Sequence, residues 1–135
     1  DCWVFGDVLE HLRDPWRVLQ RIRAGMSEDA CVVACIPNVQ HWSLQAALSR
    51  GEFRYVDAGL LDRTHLRWFT RQTLIELFED SGFGIVEFGH SQMDAPQAEP
   101  ILRSIAALAQ CSGGDPVTAI NDARAFQFLL RAMPE

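Results

Sequence analysis

Asp7, Glu10 and His11 stand at i, i+3 and i+4 in this 135-residue chain. If residues 7–11 form a helical turn, that spacing brings the three side chains onto one face. Two carboxylates and an imidazole so grouped can chelate a divalent cation. Two other readings use the same residues. Asp7 and Glu10 could simply favour the positive end of a nearby helix while His11 packs as a half-buried histidine. Alternatively, His11 could act as a general base, with Glu10 beside it as the second catalytic candidate.

A second group of candidates lies in the irregular, aromatic-rich and charged stretch from Asn38 to Trp68. Asn38, His41, Trp42, Tyr55, His65, Arg67 and Trp68 could line a pocket for a small-molecule acceptor, since rings with a few polar groups suit a sugar or an aromatic compound equally. Arg63 and Arg67 could pair a carboxylate or phosphate on that acceptor, or could form surface ion pairs with Asp57 or Asp62. Trp42 and Trp68 also suit an ordinary core.

The elements that must position these residues alternate between strand and helix. Cys2–Phe5 is an apolar run ending at Gly6, fit for a strand buried on both faces. Asp14-Pro15 supplies an N-cap with proline at the first helical position, and Trp16, Leu19 and Ile22 give the helix its buried stripe. Residues 30–36, Ala-Cys-Val-Val-Ala-Cys-Ile, form the most strand-like run, stopped by Pro37-Asn38. Strand, helix and strand of these lengths make a parallel βαβ unit. Residues 43–49 suit a short helix, and residues 51–70 a long connection of the kind that forms lids and binding segments. Thr70 caps a further helix carrying Leu74, Leu77 and Phe78, closed by Gly82. A strand at 85–88, a polar connection at 91–100, a helix at 101–109, a Gly-Asp-Pro turn at 111–116 and a last strand at 125–130, where a helix is also compatible, complete the chain. The order is α/β, a mostly parallel sheet with an antiparallel last strand.

The totals narrow the function classes. Hydrophobic residues make up 48% and charged residues 22%, within the range of a globular domain, and the formal net charge is −6. No basic run could neutralise a phosphate backbone, so no nucleic-acid partner is expected. No apolar stretch approaches the ~20 residues that span a bilayer, so no membrane partner is expected either. The four cysteines show neither a C-x-x-C pair nor zinc-ribbon spacing. They read as reduced thiols in a cytoplasmic protein, with Cys2, Cys31 and Cys35 serving as small buried hydrophobes.

Taken in order, Phe5-Gly6-Asp7-Val8-Leu9-Glu10-His11-Leu12 with Asp14-Pro15, then Ile36-Pro37-Asn38, Leu61-Asp62-Arg63-Thr64-His65-Leu66-Arg67-Trp68-Phe69-Thr70, Ser81-Gly82-Phe83 and Phe126-Gln127-Phe128-Leu129 resemble the second half of class I S-adenosylmethionine-dependent methyltransferases. The fourth-strand region of that family is similar to the first stretch. The long LDRTHLRWFT stretch resembles a bacterial subgroup often encoded near, or fused to, glycosyltransferases. The resemblance implies a single partial domain over residues 1–135: strand-helix-strand over 1–38, an acceptor-side loop over 39–70 and helix-strand-helix-strand over 71–135.

Several expectations follow from that resemblance. The cofactor is S-adenosylmethionine, placed against Gly6, Asp7 and Val8, where Gly6 lets the backbone come close. The metal-binding relatives with a Glu-x-x-Glu-His segment and a later histidine imply a quartet of Asp7, Glu10, His11 and His65. The reaction is direct displacement at the sulfonium methyl, with O-methylation of a small-molecule or sugar-type acceptor preferred. No glycine-rich loop of the kind that holds the methionine moiety occurs, and the chain opens directly on a strand. A missing N-terminal half is therefore expected, and weak cofactor binding by these residues alone. The competing expectation is a non-catalytic, truncated or degenerate module that forms a homodimer through an exposed sheet edge. A dinucleotide dehydrogenase half is less suitable, because Glu10-His11 and the LDRTH stretch have no role in one.

Overall fold

The structure is a computed structural model that describes residues 1–93 and 95–135. Its elements are β1 (Cys2–Gly6), α1 (Pro15–Gly25), β2 (Cys31–Pro37), α2 (Trp42–Ser49), α3 (Arg71–Glu79), β3 (Phe83–Gln92), α4 (Ala98–Cys111), α5 (Pro116–Arg124) and β4 (Ala125–Pro134). A single 3-10 turn at Leu9–His11 follows β1. The polar connection expected at 91–100 is shortened from both sides by β3 and α4, and its Asp94 lies outside the described residues.

The four strands form one sheet in the order β1-β2-β4-β3. β1 pairs β2 in parallel, with Val4 opposite Val33. β4 runs antiparallel to both β2 and β3, with Leu130 opposite Ala34 on one side and Phe88 on the other. Three strands therefore share a direction and the last opposes them, as expected. Gln127 and Asn38 sit where the ends of β4 and β2 meet, beside the end of β1.

Period-two alternation decides which face is buried. Val32, Ala34 and Ile36 of β2 and Phe128, Leu130 and Ala132 of β4 point toward α1 and α3, where they meet Leu19, Leu74, Leu77 and Phe78. Burying a side chain of that size contributes about 1.5–3 kcal/mol relative to exposure. Asp14 caps α1, its Oδ1 accepting from Arg17 N at 2.9 Å. Thr70 caps α3 in a reciprocal box with Thr73. Gly82 closes α3 at φ +85°, a conformation that favours glycine, and its carbonyl accepts from Arg23 Nε at 3.1 Å.

Three expectations about burial and elements change. β1 is not buried on both faces: Trp3 and Val4 are 46% and 71% exposed. α1 and α3 cover one face of the sheet only, and β1 is an edge strand with a partner on one side. For the same reason Cys31 and Cys35, on the other face, are half-buried rather than buried, and Cys2 and Cys111 are exposed; all four thiols are free. Finally, residues 116–124, given no element beyond the turn at 111–116, form a helix. Its signal is the one that marks α1, an aspartate N-cap before proline, here Asp115-Pro116 with Oδ2 accepting from Thr118 N at 2.7 Å. The C-terminal part is therefore helix-strand-helix-helix-strand. Between β3 and β4, α4 packs on α5 and on α2, burying Ala98, Leu102, Ile105 and Ala123 with Trp42 against them.

Candidate functional site

The 3-10 turn after β1 is anchored by Leu9, which is fully buried in the main core. The next residue, Glu10, is thereby carried inward and is 1% exposed. Its carbonyl accepts from Leu66 N at 2.8 Å and Arg67 N at 3.0 Å. These two bonds dock the 61–70 segment onto the turn, so the two stretches singled out in the sequence are joined in space. A bridge between Val56 and Asp62 shapes the preceding loop, and buried Leu60 and Leu61 hold it against Leu44.

Three donors converge there. Glu10 Oε1 lies 3.9 Å from His11 Nε2 and 4.0 Å from His65 Nε2. The ligand atoms of Glu10, His11 and His65 all lie within 4.8 Å of one another. The two rings meet edge to face, with centroids 4.8 Å apart. Neither Glu10 carboxylate oxygen has a hydrogen-bond partner among the described residues. Burial, the largest cause, pushes the Glu10 carboxyl above the ordinary carboxylate range.

Hydrogen-bond partners fix which ring nitrogen carries the proton. His65 Nδ1 faces the Leu60 carbonyl at 3.2 Å, so the neutral ring must donate through Nδ1 and present the Nε2 lone pair to Glu10. His11 Nδ1 faces the Thr64 carbonyl at 3.2 Å and the Thr64 hydroxyl at 3.1 Å. That ring too presents an Nε2 lone pair. An ionised buried carboxylate and the Nε2 lone pairs of two neutral imidazoles, pointing together, would make a donor set suited to a divalent cation.

Asp7 is not in this group. It precedes the 3-10 turn with φ +53°, so the single helical face expected for residues 7–11 does not form. Its carboxylate instead accepts from Gln127 Nε2 at 2.6 Å, and its N–H donates to the Cys35 carbonyl at 3.1 Å. Those bonds tie the ends of β1, β2 and β4 together. Gly6 has no neighbour within 4 Å of where a Cβ would stand, and Val8 is exposed, so both face open space at the sheet end.

Asp7, His11, Leu60, Asp62, His65 and Gln127 line a cavity of about 240 Å³. That is below the ~300 Å³ of a typical ligand pocket, enough for the reacting end of a molecule. A cleft of about 400 Å³ lies between α3, β3 and α5, lined by Arg71, His90, Asp122 and Arg124 among others. There Arg71 already meets Asp122 at 3.9 Å and Arg124 meets Glu99 at 2.6 Å. The smaller cavity, lined by His11 and His65 beside the unpartnered Glu10 carboxylate, is the better candidate site.

The expected acceptor residues are scattered. Asn38 is fully buried; its side chain donates to the Asp122 and Ala125 carbonyls at 2.7 and 2.8 Å and accepts from Gln40 N. It is a brace for β4, not a pocket residue. His41 caps α2, its Nδ1 lying 2.7 Å from Ser43 Oγ. Burial lowers its pKa to about 4. Trp42 belongs to the helical cluster around α4. Arg67 donates to the Leu66 and Arg13 carbonyls, and Arg63 pairs with Asp57 at 2.7 Å. Tyr55 is 53% exposed and packs with Phe53 and Trp68, centroids 5.7 and 6.2 Å away. Of the acceptor candidates, His65 alone lines the cavity.

Asp62, Thr64 and Gln127 make contacts at the candidate site that the sequence reading did not assign to them. The signal for the first two was present: an aspartate two residues before a threonine readily forms a side-chain-to-backbone turn. Here Asp62 Oδ1 accepts from Thr64 N at 2.8 Å and from Thr64 Oγ1 at 2.6 Å. Those bonds hold the Asp62 carboxyl below the ordinary range. Gly82-Phe83-Gly84, the chain's G-x-G, closes α3 and starts β3, away from the cavity.

The fold matches solved methyltransferases. A SAM-dependent methyltransferase from Methanosarcina mazei superposes with a TM-score of 0.58 at 15% identity, over 99% of this chain and 58% of that protein. The small RNA methyltransferase HEN1 gives 0.56 at 11% identity, over 100% of this chain and 14% of that protein. A methyltransferase-like protein from Bacillus halodurans gives 0.51 at 12% identity, over 99% and 64%. The chain thus spans less than two thirds of each. No curated protein sequence matches it. Residues 1–87, which carry β1, the donor set and α3, match the sequence family described as a methyltransferase domain, and the chain belongs to that family.

Proposed function

We propose that this chain carries the acceptor side of an S-adenosylmethionine-dependent methyltransferase that methylates a hydroxyl on a small-molecule or sugar-type acceptor. The observation that carries the proposal is the convergence of the buried Glu10 carboxylate with Nε2 of His11 and His65, two rings that line the cavity. The orphaned, buried carboxylate fits a divalent cation, and the residues that would hold it are Glu10, His11 and His65, with Asp7 outside the set. Such a cation would supply Lewis acidity, making an acceptor hydroxyl easier to deprotonate. The cofactor would supply the methyl group on its sulfonium.

The chain's own residues do the rest. The bonds from Leu66 N and Arg67 N hold Glu10 in place. The carbonyls of Leu60 and Thr64 aim the two imidazoles. Asp7 and Gln127 fix the floor of the cavity. An uncoordinated Nε2 could instead accept the hydroxyl proton directly, which is the general-base form of the same proposal. A further part of the proposal is that the glycine-rich grip on the cofactor comes from a segment outside residues 1–135.

Methyl-labelled S-adenosylmethionine offered with hydroxyl and amine acceptors, with and without a chelator, tests the reading. O-methyl product that a chelator suppresses is the expected result; amine methylation insensitive to the chelator overturns it. Calorimetric titration of the 135-residue chain with S-adenosylmethionine should give weak or no binding. A micromolar affinity would remove the part about an outside segment.

The exposed β1 edge, with Trp3 and Val4 largely uncovered, supports a second reading, a non-catalytic module that self-associates. Sedimentation of the chain decides it: a dimer that Val4→Lys dissociates supports self-association, and a monomer at all concentrations removes it.

A further inference from the structure

The LDRTH stretch contains a hydrogen-bond relay whose members the proposed donor set does not include. The Thr64 hydroxyl donates its hydrogen bond to Asp62 Oδ1 at 2.6 Å, and a carboxylate has no hydrogen to donate in return. The Thr64 hydroxyl has only that one proton. Toward His11, 3.1 Å away, its oxygen can therefore act only as an acceptor. The Thr64 carbonyl, 3.2 Å from the same ring nitrogen, is an acceptor in any case. Both partners of His11 Nδ1 thus demand a hydrogen on Nδ1. A neutral imidazole carries one hydrogen, so Nε2 is left bare and facing Glu10 at 3.9 Å.

Asp62 is what makes this arrangement single-valued. Without it, the hydroxyl proton is free to turn toward His11 and donate to Nδ1. The ring would then carry its hydrogen on Nε2, directed at the buried carboxylate, and would offer the cavity a donor instead of a lone pair. We propose that Asp62 is a positioning residue: by accepting the Thr64 hydroxyl hydrogen it locks His11 in the tautomer that turns the Nε2 lone pair toward Glu10. This inference rests on the reading of Glu10, His11 and His65 as one donor set. Its tautomer step is nevertheless measurable without a metal or a methyl acceptor.

The relay predicts non-additive behaviour that a merely structural turn does not. Asp62→Ala frees the hydroxyl and should move His11 toward the Nε2–H form. Thr64→Val removes the hydroxyl but keeps the backbone carbonyl, so Nδ1–H should persist. The Asp62→Ala/Thr64→Val pair should restore Nδ1–H, because no hydroxyl remains to donate. Asp62→Asn keeps an acceptor oxygen and should resemble the wild type. Nitrogen-15 NMR of the imidazoles in the metal-free protein reads the tautomer directly, and cobalt(II) titration of the same samples reads the donor set. A loss of roughly tenfold in cobalt(II) affinity is expected for Asp62→Ala, in the range of other partners that orient metal ligands.

Wild-type His11 in the Nε2–H form, or no tautomer change in Asp62→Ala, overturns the inference. If Asp62→Ala loses its folded amide spectrum, the wild-type tautomer and the Asp62→Asn and Thr64→Val variants still decide it: a Thr64→Val ring found as Nε2–H overturns it. If the tautomers follow the pattern but the wild type takes up no cobalt(II), the positioning role stands and the metal reading falls.

Discussion

His65 Nε2 and Glu10 Oε1 face each other at 4.0 Å inside the protein, and 55 residues of sequence separate them. In the neutral ring His65 donates through Nδ1 to the Leu60 carbonyl, and neither facing atom then brings a hydrogen to the gap. A buried carboxylate left without a hydrogen-bond partner in this way is held at a cost to folding.

That cost sets the sign of the first prediction. Glu10→Gln removes a buried, unpartnered carboxylate and supplies an amide that can donate to an imidazole lone pair. In metal-free protein it should raise unfolding free energy by about 1 kcal/mol, read from denaturant midpoints. The same change should abolish cobalt(II) binding. A stability loss of similar size would mean that Glu10 is satisfied in solution.

His65→Ala should lower cobalt(II) affinity by more than about tenfold, because it removes a ligand and not merely a neighbour. His41→Ala, at the other buried histidine, should leave cobalt(II) affinity unchanged, since His41 caps α2 and is absent from the donor set. Equal losses in the two variants would contradict the assignment.

His41 also sets a pH dependence. Burial depresses its folded-state pKa to about 4, against roughly 6.5 in an unfolded chain. Between those values the unfolded state binds more protons, so stability is full above about pH 6.5 and declines as pH falls toward 4. The histidine's share of that loss is on the order of 3 kcal/mol at most. His41→Asn keeps an acceptor for the cap and should flatten the decline, as measured by urea unfolding at pH 7 and pH 4.5.

Asp7 combines φ +53° with a 2.6 Å bond from Gln127. Asparagine tolerates that backbone region and keeps an acceptor oxygen, so Asp7→Asn should be nearly neutral. Asp7→Val should cost about 2–3 kcal/mol, combining a strained β-branched residue with a lost hydrogen bond. Thermal unfolding of the two variants checks the difference.

Asn38 tests the revision of an expected acceptor residue. Its side chain bonds two carbonyls in the interior. Asn38→Ala should destabilise by about 2–4 kcal/mol, read from denaturant unfolding, by removing two interior hydrogen bonds at once. A variant of normal stability would return Asn38 to the list of acceptor contacts.

What the sequence determined by itself is local. Asp14-Pro15 and Thr70 set helix starts through their own side chains, and the alternation of Val32, Ala34 and Ile36 defines a strand face; all are properties of neighbouring residues. The ordered motifs carried the family, and they placed Glu10, His11 and His65 among the candidates. Tertiary structure decided the rest. Asp7 left the quartet because its backbone turns at φ +53°, a value no spacing rule contains. Asn38 and Trp42 took structural contacts because α5, unread in the sequence, returns to pack beside them with α4, and His41 caps α2. The apolar run of β1 stayed exposed because the available helices cover only the other part of the sheet. Asp62 acquired a role because the docking of residues 61–70 on Glu10 brings Thr64 to His11. Hydrogen-bond direction between residues 53 apart is fixed by that packing, and sequence spacing carries no record of it.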